Sequence, residues 1–218
     1  TESITICSTT IFKKEIRRVR NSILMFYDHE FIGAMLVHEF QMGNDYFEKA
    51  NPKDYTLDEI MKRTEIKIKP KLDLEEFKGK TCAIVGSSPK LLEQELGEEI
   101  DSHDYVVRFN LSRTDGYEKH TGSKTNFRVI SGKSFGYIDN PGYERHDFDF
   151  FKQCEGEHFI LKPRSDGNFR HIVGGLINNI DTLNPISIIP VTTMNDIATH
   201  FEHMVEPSCG FLGTMVFM

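Results

Sequence analysis

The chain has 218 residues, of which 39% are apolar, and it carries a formal net charge of −7. A chain of this size and composition buries one substantial core, so we expect a single main domain with an N-terminal extension. The chain has 26 basic and 33 acidic residues. Because there is no excess of cations to displace counterions, this composition argues against nucleic acid as the main partner.

Membrane and secretion signals are not evident in the sequence. The longest apolar stretches, such as residues 31–37, are too short to cross a bilayer, and no cleavable signal is visible at Thr1. Because the chain begins with Thr1 and not with Met, we expect a processed or trimmed chain. Prior removal of an anchor or a signal is compatible with this start.

The N-terminal part is predicted to be helical. Residues 11–27 place apolar side chains at helical spacing with basic ones mostly opposite, which is typical of an amphipathic helix. Packing of this helix on the domain is favoured over a membrane-surface role. A second helix is expected in residues 28–40, and Thr56 with Glu59 forms a capping box that starts a third.

A change of pattern divides the chain. Residues 65–80 alternate apolar and basic side chains around Pro70, as an extended connector does. We therefore predict an N-terminal helical extension with its connector over 1–71 and the main domain over 72–218.

From Thr81 onward, short apolar runs alternate with amphipathic segments. That alternation is typical of βα units around a largely parallel sheet, in which ligands bind beyond the carboxyl ends of the strands. Residues 131–156 are aromatic and weakly periodic, and they are interpreted as a long surface excursion that borders a site. The predicted strands lie in TCAIVG, DYVVRFN, TNFRVI, EHFILKP and ISIIPV, and helices in LLEQELGEEI, GGLINNI and MNDIATHFEHM.

Three polar elements fall where such a sheet would bind a ligand. The turn VGSSPK (85–90) either faces an anion at a helix N-terminus or merely turns at Gly86 and caps the helix through Ser87 or Ser88. Arg108 and Asn110 share one face of a strand by their spacing, and either satisfy backbone groups or contact a ligand.

The third element is the turn formed by Pro207, Ser208, Cys209 and Gly210, which precedes an apolar helix. Its small residues would let a ligand approach the helix N-terminus closely. None of the notable histidines, His146, His200 and His203, is a convincing base or ligand, and each is better explained as a surface or packed residue.

Together these elements resemble a known family. Residues 82–125, CAIVGSSPKLLEQELGEEIDSHDYVVRFNLSRTDGYEKHTGSKT, resemble the large sialylmotif of the animal-type sialyltransferases. Residues 207–218, PSCGFLGTMVFM, resemble the beginning of the small sialylmotif. The resemblance covers roughly residues 80–130 and the last dozen.

This resemblance implies a modified Rossmann-like (GT-A-like) α/β domain that transfers sialic acid from CMP-sialic acid to a glycan hydroxyl, with inversion and without a metal or other cofactor. Ser87 and Asn110 match positions that contact the CMP moiety. Ser208, Cys209 and Gly210 match the turn that holds the donor, and Gly86 and Ser88 shape the first turn. The partners implied are the nucleotide-sugar donor and a glycan acceptor.

The chain departs from the family pattern at several points. Ser87 stands where the family usually has Asn, and Cys209 replaces a Ser or Thr. Cys82 matches a cysteine that the family pairs with a small-motif cysteine, and that partner is expected beyond Met218. The histidine base is likewise expected beyond Met218, so no catalytic residue is assigned.

Two further interpretations stay open: a CMP-sugar-binding pseudoenzyme or truncated inactive form, and a transferase of a related 2-keto acid sugar. The resemblance implies the Golgi lumen, whereas a complete chain without an anchor would be cytoplasmic. The four cysteines, Cys7, Cys82, Cys154 and Cys209, form no CxxC pair, which argues against structural zinc but leaves thiols and disulfides open.

Overall fold

The computed structural model describes most of the chain from residue 72 and single positions before it. The described residues are 18, 23, 26–28, 30–32, 34, 38, 56, 58–59, 61–62, 68–69, 72–132, 150, 153–154, 156–163, 185–200 and 206–217. The predicted helix GGLINNI, His146, His203, Cys7 and most of the excursion at 131–156 lie outside these residues.

Five parallel strands form the centre of the fold, and they are hydrogen-bonded in the order of the sequence. The strands are β1 (Cys82–Ile84), β2 (Tyr105–Phe109), β3 (Phe127–Ser131), β4 (His158–Lys162) and β5 (Ile186–Ile188). All five predicted strands are therefore confirmed, and so is the α/β, Rossmann-like class with a parallel sheet.

The strands are recognisable in the sequence because the sheet is covered on both faces. Almost every residue of β2 to β5 is buried. Strands buried on both faces are near-continuous runs of β-branched and aromatic residues. Because β1 is the first strand in the order, it lies at the edge of the described sheet, and Cys82 at its start is only half-buried.

Helices with defined bounds accompany the sheet within the described ranges. They are two 3-10 helices, Leu74–Phe77 and Pro89–Glu93, and four α-helices, α1 (Gly97–Ser102), α2 (Glu118–Thr121), α3 (Val191–His200) and α4 (Cys209–Phe217). The main core lies between one face of the sheet and helices α3 and α4, and includes Val107, Phe109, Met194, Leu212 and Val216. On the other face, Val106 packs with Ile100 of α1.

Helix α4 approaches the sheet through a glycine. A Cβ atom placed on Gly213 would lie 2.6 Å from Cε1 of Phe109 and 3.4 Å from Cγ2 of Val129. Because that first distance is far below van der Waals contact, only a residue without a side chain lets α4 pack this closely on β2 and β3.

Some described residues of the N-terminal part contact this same core. Ile23 and Phe26 are buried in it, and the backbone N–H of Tyr27 donates to the carbonyl of Ile188 at 2.9 Å. Ile68 forms a parallel bridge with Ile186, beside β5. The apolar side chains of residues 11–27 therefore pack on the domain at their described positions, as the sequence favoured. The domain boundary at residue 72 stays a prediction.

The predicted capping box is present. The hydroxyl of Thr56 accepts from the N–H of Glu59 at 3.3 Å, and the Glu59 carboxylate accepts from the N–H of Thr56 at 2.9 Å. Among the described residues, no helix combines the length and the apolarity needed to cross a bilayer.

The predicted helix over LLEQELGEEI is wrong, because the chain breaks at Gln94 and α1 begins only at Gly97. The carbonyl of Gln94 lies 2.8 Å from Nδ1 of His120. A Cβ on Gly97 would overlap the carbonyl oxygen of Glu118. Contacts with α2, distant in sequence, therefore decide where this helix starts.

Candidate functional site

The carboxyl ends of the parallel strands bring the candidate residues to one edge of the sheet. Gly86 follows β1, Asn110 follows β2, Ser131 ends β3 and Lys162 ends β4. Helix α4 begins at this edge with Cys209. Open parallel sheets bind their ligands beyond the carboxyl ends of their strands.

Asn110 has a special backbone and a fixed side chain. Its φ angle of +48° makes it the one non-glycine residue with positive φ in the described part of the chain. Its N–H donates to the carbonyl of Val129 at 3.0 Å, and its side-chain Oδ1 accepts from the N–H of Ser131 at 2.9 Å. Asparagine tolerates the left-handed region better than most residues, which suits it to this strand end.

The bond from Ser131 also orients the amide of Asn110. Since Ser131 N–H is a donor, the side-chain atom facing it must be the oxygen, and Nδ2 lies on the other side of the amide. Within the described part of the chain, Nδ2 has no hydrogen-bond acceptor. Asn110 therefore offers one or two donors to a ligand at the edge of the sheet.

Arg108 and Asn110 contact different parts of the fold, contrary to the expectation that they share one face of the strand. The guanidinium of Arg108 is buried and donates to the carbonyls of Thr121, Gly122 and Lys124. Asn110 instead contacts β3 and α4. The positive φ of Asn110 ends the extended conformation, so the period of two that places alternate side chains on one face no longer applies.

The turn before α4 brings Cys209 next to Asn110. Sγ of Cys209 lies 3.9 Å from Oδ1 of Asn110. Ser208 is exposed and caps α4, since its hydroxyl accepts from the N–H of Phe211 at 3.0 Å. Gly210 is half-buried, and a Cβ placed on it would lie 3.7 Å from Oγ of Ser208, an ordinary contact. The structure thus places the small-motif turn beside Asn110.

Burial raises the pKa of the Cys209 thiol to about 11. The charge of Lys162 favours the thiolate and that of Glu206 opposes it, but burial dominates. The thiol is therefore protonated at neutral pH and acts as a small packed group with a weak donor.

The first turn, Gly86 to Ser88, is exposed at the end of β1. The hydroxyl of Ser88 accepts from the N–H of Lys90 at 3.3 Å and caps the 3-10 helix, with Pro89 at its first position. The hydroxyl of Ser87 makes no hydrogen bond to another described residue. Of the two interpretations of this turn, capping describes Ser88, whereas Ser87 is available to a ligand.

Two charged residues at this edge were missed by the sequence analysis. Nζ of Lys162 donates to Oε1 of Glu206 at 2.5 Å, and the lysine side chain is 6% exposed. The available signal was a lysine at the end of the otherwise apolar run HFIL. Its partner lies far away in sequence, so only the fold shows the pair.

A buried ion pair holds the backbone at Asn110 and Ser112 in place. The guanidinium of Arg128 donates to both carboxylate oxygens of Glu157, at 2.6 and 2.8 Å. Arg128 also donates to the carbonyls of Asn110 and Ser112, each at 3.0 Å. One guanidinium therefore connects β3 and the segment just before β4 to the residue that follows β2.

Two described histidines make their contacts away from the candidate site. His158 begins β4, at the opposite end of that strand, and its Nε2 lies 2.9 Å from Oγ of Ser187. Nδ1 of His103 lies 2.9 Å from the carbonyl of Glu99. Among the residues that the structure describes, no three His, Cys, Asp or Glu side chains group closely enough to hold a metal ion.

Comparison with known proteins finds similarity to sialyltransferases. The sequence profile of glycosyltransferase family 29 (sialyltransferase) matches residues 28–154. Beta-galactoside alpha-2,6-sialyltransferase 2 of Bos taurus is 47% identical over 73 residues, which are 34% of this chain and 14% of the bovine protein. The Danio rerio protein of the same name is 52% identical over 54 residues, 25% of this chain and 10% of its own length.

Solved structures share the fold. A crystal structure of a mammalian sialyltransferase superposes with a TM-score of 0.51 at 20% identity, over 80% of this chain and 67% of the other. A second, in complex with Gal-beta-1-3GalNAc-ortho-nitrophenol, gives a TM-score of 0.52 at 18% identity, over 97% and 82%. The matched segments thus span only a small part of the curated relatives, while the fold agrees over most of the chain.

Proposed function

Since this chain belongs to glycosyltransferase family 29, the sialyltransferases, we propose that it binds CMP-sialic acid and transfers the sialic acid to a glycan hydroxyl. The observation that carries the proposal is the Asn110 amide. Its Oδ1 is held by Ser131, and its Nδ2 is left to donate beside the turn that starts α4. An oriented donor next to a helix N-terminus suits an anionic nucleotide.

The donor would lie across the carboxyl ends of β1 and β2. Ser87, exposed after β1, and Asn110 would contact the CMP moiety, while Ser208, Cys209 and Gly210 would hold it from the α4 side. Gly86 and Ser88 would shape the first turn. Ser87 replaces an amide with a hydroxyl, so this contact would supply a single donor.

The chemistry of such a transfer sets two demands. Sialic acid leaves CMP through an oxocarbenium-like transition state, so the departing phosphate needs hydrogen-bond donors and the acceptor hydroxyl needs a base. Asn110 and the first N–H groups of α4 would meet the first demand. We assign the base to no described residue, and we expect inversion at the anomeric carbon and no requirement for a metal.

We propose a β-galactoside as the acceptor. The curated relatives are named for transfer to β-galactosides with an α-2,6 linkage, and one of the solved neighbours was crystallised with a galactoside. The family also favours a Golgi enzyme, which stays a proposal for this chain.

The test is incubation of the protein with CMP-sialic acid and N-acetyllactosamine, with and without EDTA. The proposal expects release of CMP and a sialylated product whose linkage is read by NMR, with equal rates in both arms. Calorimetric titration with CMP, CMP-sialic acid and UDP-galactose runs in parallel. Binding of CMP without any transfer would favour the alternative, a CMP-sugar-binding pseudoenzyme or truncated inactive form, and binding of none of these nucleotides would contradict both.

A further inference from the structure

Lys162 is a buried cation at the candidate site with one described acceptor. Its side chain is 6% exposed, and Nζ donates to Oε1 of Glu206 at 2.5 Å. A lysine ammonium carries three donors, so two of them have no acceptor among the described residues. Buried ammonium groups are costly unless charge and hydrogen bonds both compensate them, so a further acceptor at Nζ would stabilise Lys162.

The position of Lys162 places this cation beside Asn110. Ser131 and Lys162 are register partners of β3 and β4, and the N–H of that same Ser131 donates to Oδ1 of Asn110. Glu206 stands just ahead of the turn in which Cys209 contacts Asn110. The ion pair therefore closes the same end of the sheet that Asn110 and α4 line.

The two partners differ in their access to water. The side chain of Glu206 is 29% exposed, whereas that of Lys162 is 6% exposed. A carboxylate that can return to solvent regains most of its hydration when it leaves, while the buried lysine cannot leave the site. An incoming oxyanion can therefore replace Glu206 on Lys162 at a smaller cost than moving the lysine.

We propose that Lys162 binds an oxyanion of the sugar-nucleotide donor and that Glu206 is the carboxylate which this oxyanion replaces. The inference rests on the proposed function, since it gives a residue to the donor site. CMP-sialic acid carries two suitable groups, the phosphate of the nucleotide and the carboxylate of the sugar. Lys162 is thereby a charge-specific binding residue, and Glu206 lowers the affinity for the donor by competing with it.

The experiment is calorimetric titration of the parent protein and of Lys162→Met and Glu206→Gln with CMP, CMP-sialic acid and cytidine. Methionine replaces the apolar stem of the buried side chain and removes its charge. The double variant Lys162→Met/Glu206→Gln removes both charges and avoids leaving one of them buried alone. The matched control is Lys119→Met, which breaks an exposed pair with Glu95 of similar length, 2.6 Å.

We expect Lys162→Met, alone and in the double variant, to weaken binding of the charged ligand by about ten- to a hundredfold, as for loss of a charge-assisted hydrogen bond. Cytidine affinity and the Lys119→Met control should stay within about twofold of the parent. A loss seen with CMP assigns Lys162 to the phosphate, and a loss confined to CMP-sialic acid assigns it to the carboxylate. Glu206→Gln should tighten the same ligand severalfold.

Other outcomes overturn the inference. If Lys162→Met and the double variant bind both charged ligands as the parent does, or lose cytidine equally, Lys162 does not bind the oxyanion. If Glu206→Gln weakens the charged ligands, Glu206 is not a competitor. A parent protein that binds none of the three ligands would remove the proposed function and this inference together, whereas normal binding of both CMP and CMP-sialic acid in the lysine variants removes this inference alone.

Discussion

The side-chain Oδ1 of Asn110 accepts a hydrogen bond from the backbone N–H of Ser131 at 2.9 Å, so one residue both closes the β2–β3 edge and presents an amide N–H₂ group to the candidate site. Because of this hydrogen bond, Asn110 has one structural role and one proposed role in ligand binding. Its oxygen satisfies a strand end that would otherwise lack an acceptor, and its nitrogen is left for a ligand. Substitutions at Asn110 therefore change stability and binding together, and the two effects have to be separated.

Replacing Asn110 with Gly and with Ala separates them. Both substitutions remove the amide, so CMP affinity should fall by about ten- to a hundredfold in each. A φ of +48° strains the backbone of alanine but not that of glycine, so Asn110→Ala should be less stable than Asn110→Gly by about 1 kcal/mol. Calorimetry gives the affinity and thermal unfolding gives the stability. Unchanged CMP affinity in both variants would remove Asn110 from the site.

The buried pair of Arg128 and Glu157 should contribute strongly to stability. Glu157→Gln removes one charge and leaves the other, which is 3% exposed, without its counterion. We expect a loss of about 3–5 kcal/mol, measured by urea unfolding. The control is Glu95→Gln, in an exposed pair, which should cost less than about 1 kcal/mol. Equal losses in the two variants would contradict the buried role.

Glycine at position 213 should be required by packing. Gly213→Ala places a methyl group 2.6 Å from Cε1 of Phe109, so helix α4 must shift, and we expect a loss of about 1–3 kcal/mol in the free energy of unfolding. Gly210→Ala is the matched change in the same helix, with 3.7 Å to its nearest neighbour, and should not destabilise. The double change Gly213→Ala/Phe109→Leu should recover part of the loss, and no recovery would locate the clash elsewhere.

His158 should make stability depend on pH below neutrality. Burial, with a smaller effect of the Lys69 charge, lowers its pKa from 6.5 to about 4. The unfolded chain therefore binds a proton at a pH where the folded chain does not, so stability is complete above pH 6.5 and is lost as pH falls toward 4. The loss from this group is about 3 kcal/mol at most.

Urea unfolding at pH 7, 6, 5 and 4.5 measures this dependence. His158→Gln keeps a polar group near Ser187 and removes the titration, so its stability should fall less over this range than that of the parent. The control, His120→Gln, leaves the buried imidazole in place and should keep the parent's dependence. Identical slopes for the parent and His158→Gln would show that His158 is not the group responsible.

Several features were predictable because they depend on local sequence. The five strands follow from short apolar runs, since a parallel sheet covered on both faces buries nearly every side chain of its strands. The capping box of Thr56 and Glu59 spans a single turn and is encoded within it. The resemblance of residues 82–125 and 207–218 to a motif family led to the same family that matches residues 28–154.

Other features depend on contacts between distant residues, which no local pattern encodes. The break at Gln94 follows from its contact with His120 and the close approach of Gly97 to Glu118. The side chains of Arg108 and Asn110 contact different parts of the fold because Asn110, at the end of the strand, has a positive φ.

The sequence by itself thus determined the strands, the class of fold and the two turns at which a donor was expected, because periodicity and turn chemistry act over a few residues. Only the tertiary structure decided which atoms of those turns are available. In the folded chain the oxygen of Asn110 accepts from Ser131, the hydroxyl of Ser88 caps a helix and the guanidinium of Arg108 donates to carbonyls. It also buries Lys162 against Glu206, 44 residues later, because a buried charge must find its counterion wherever the chain brings one within reach.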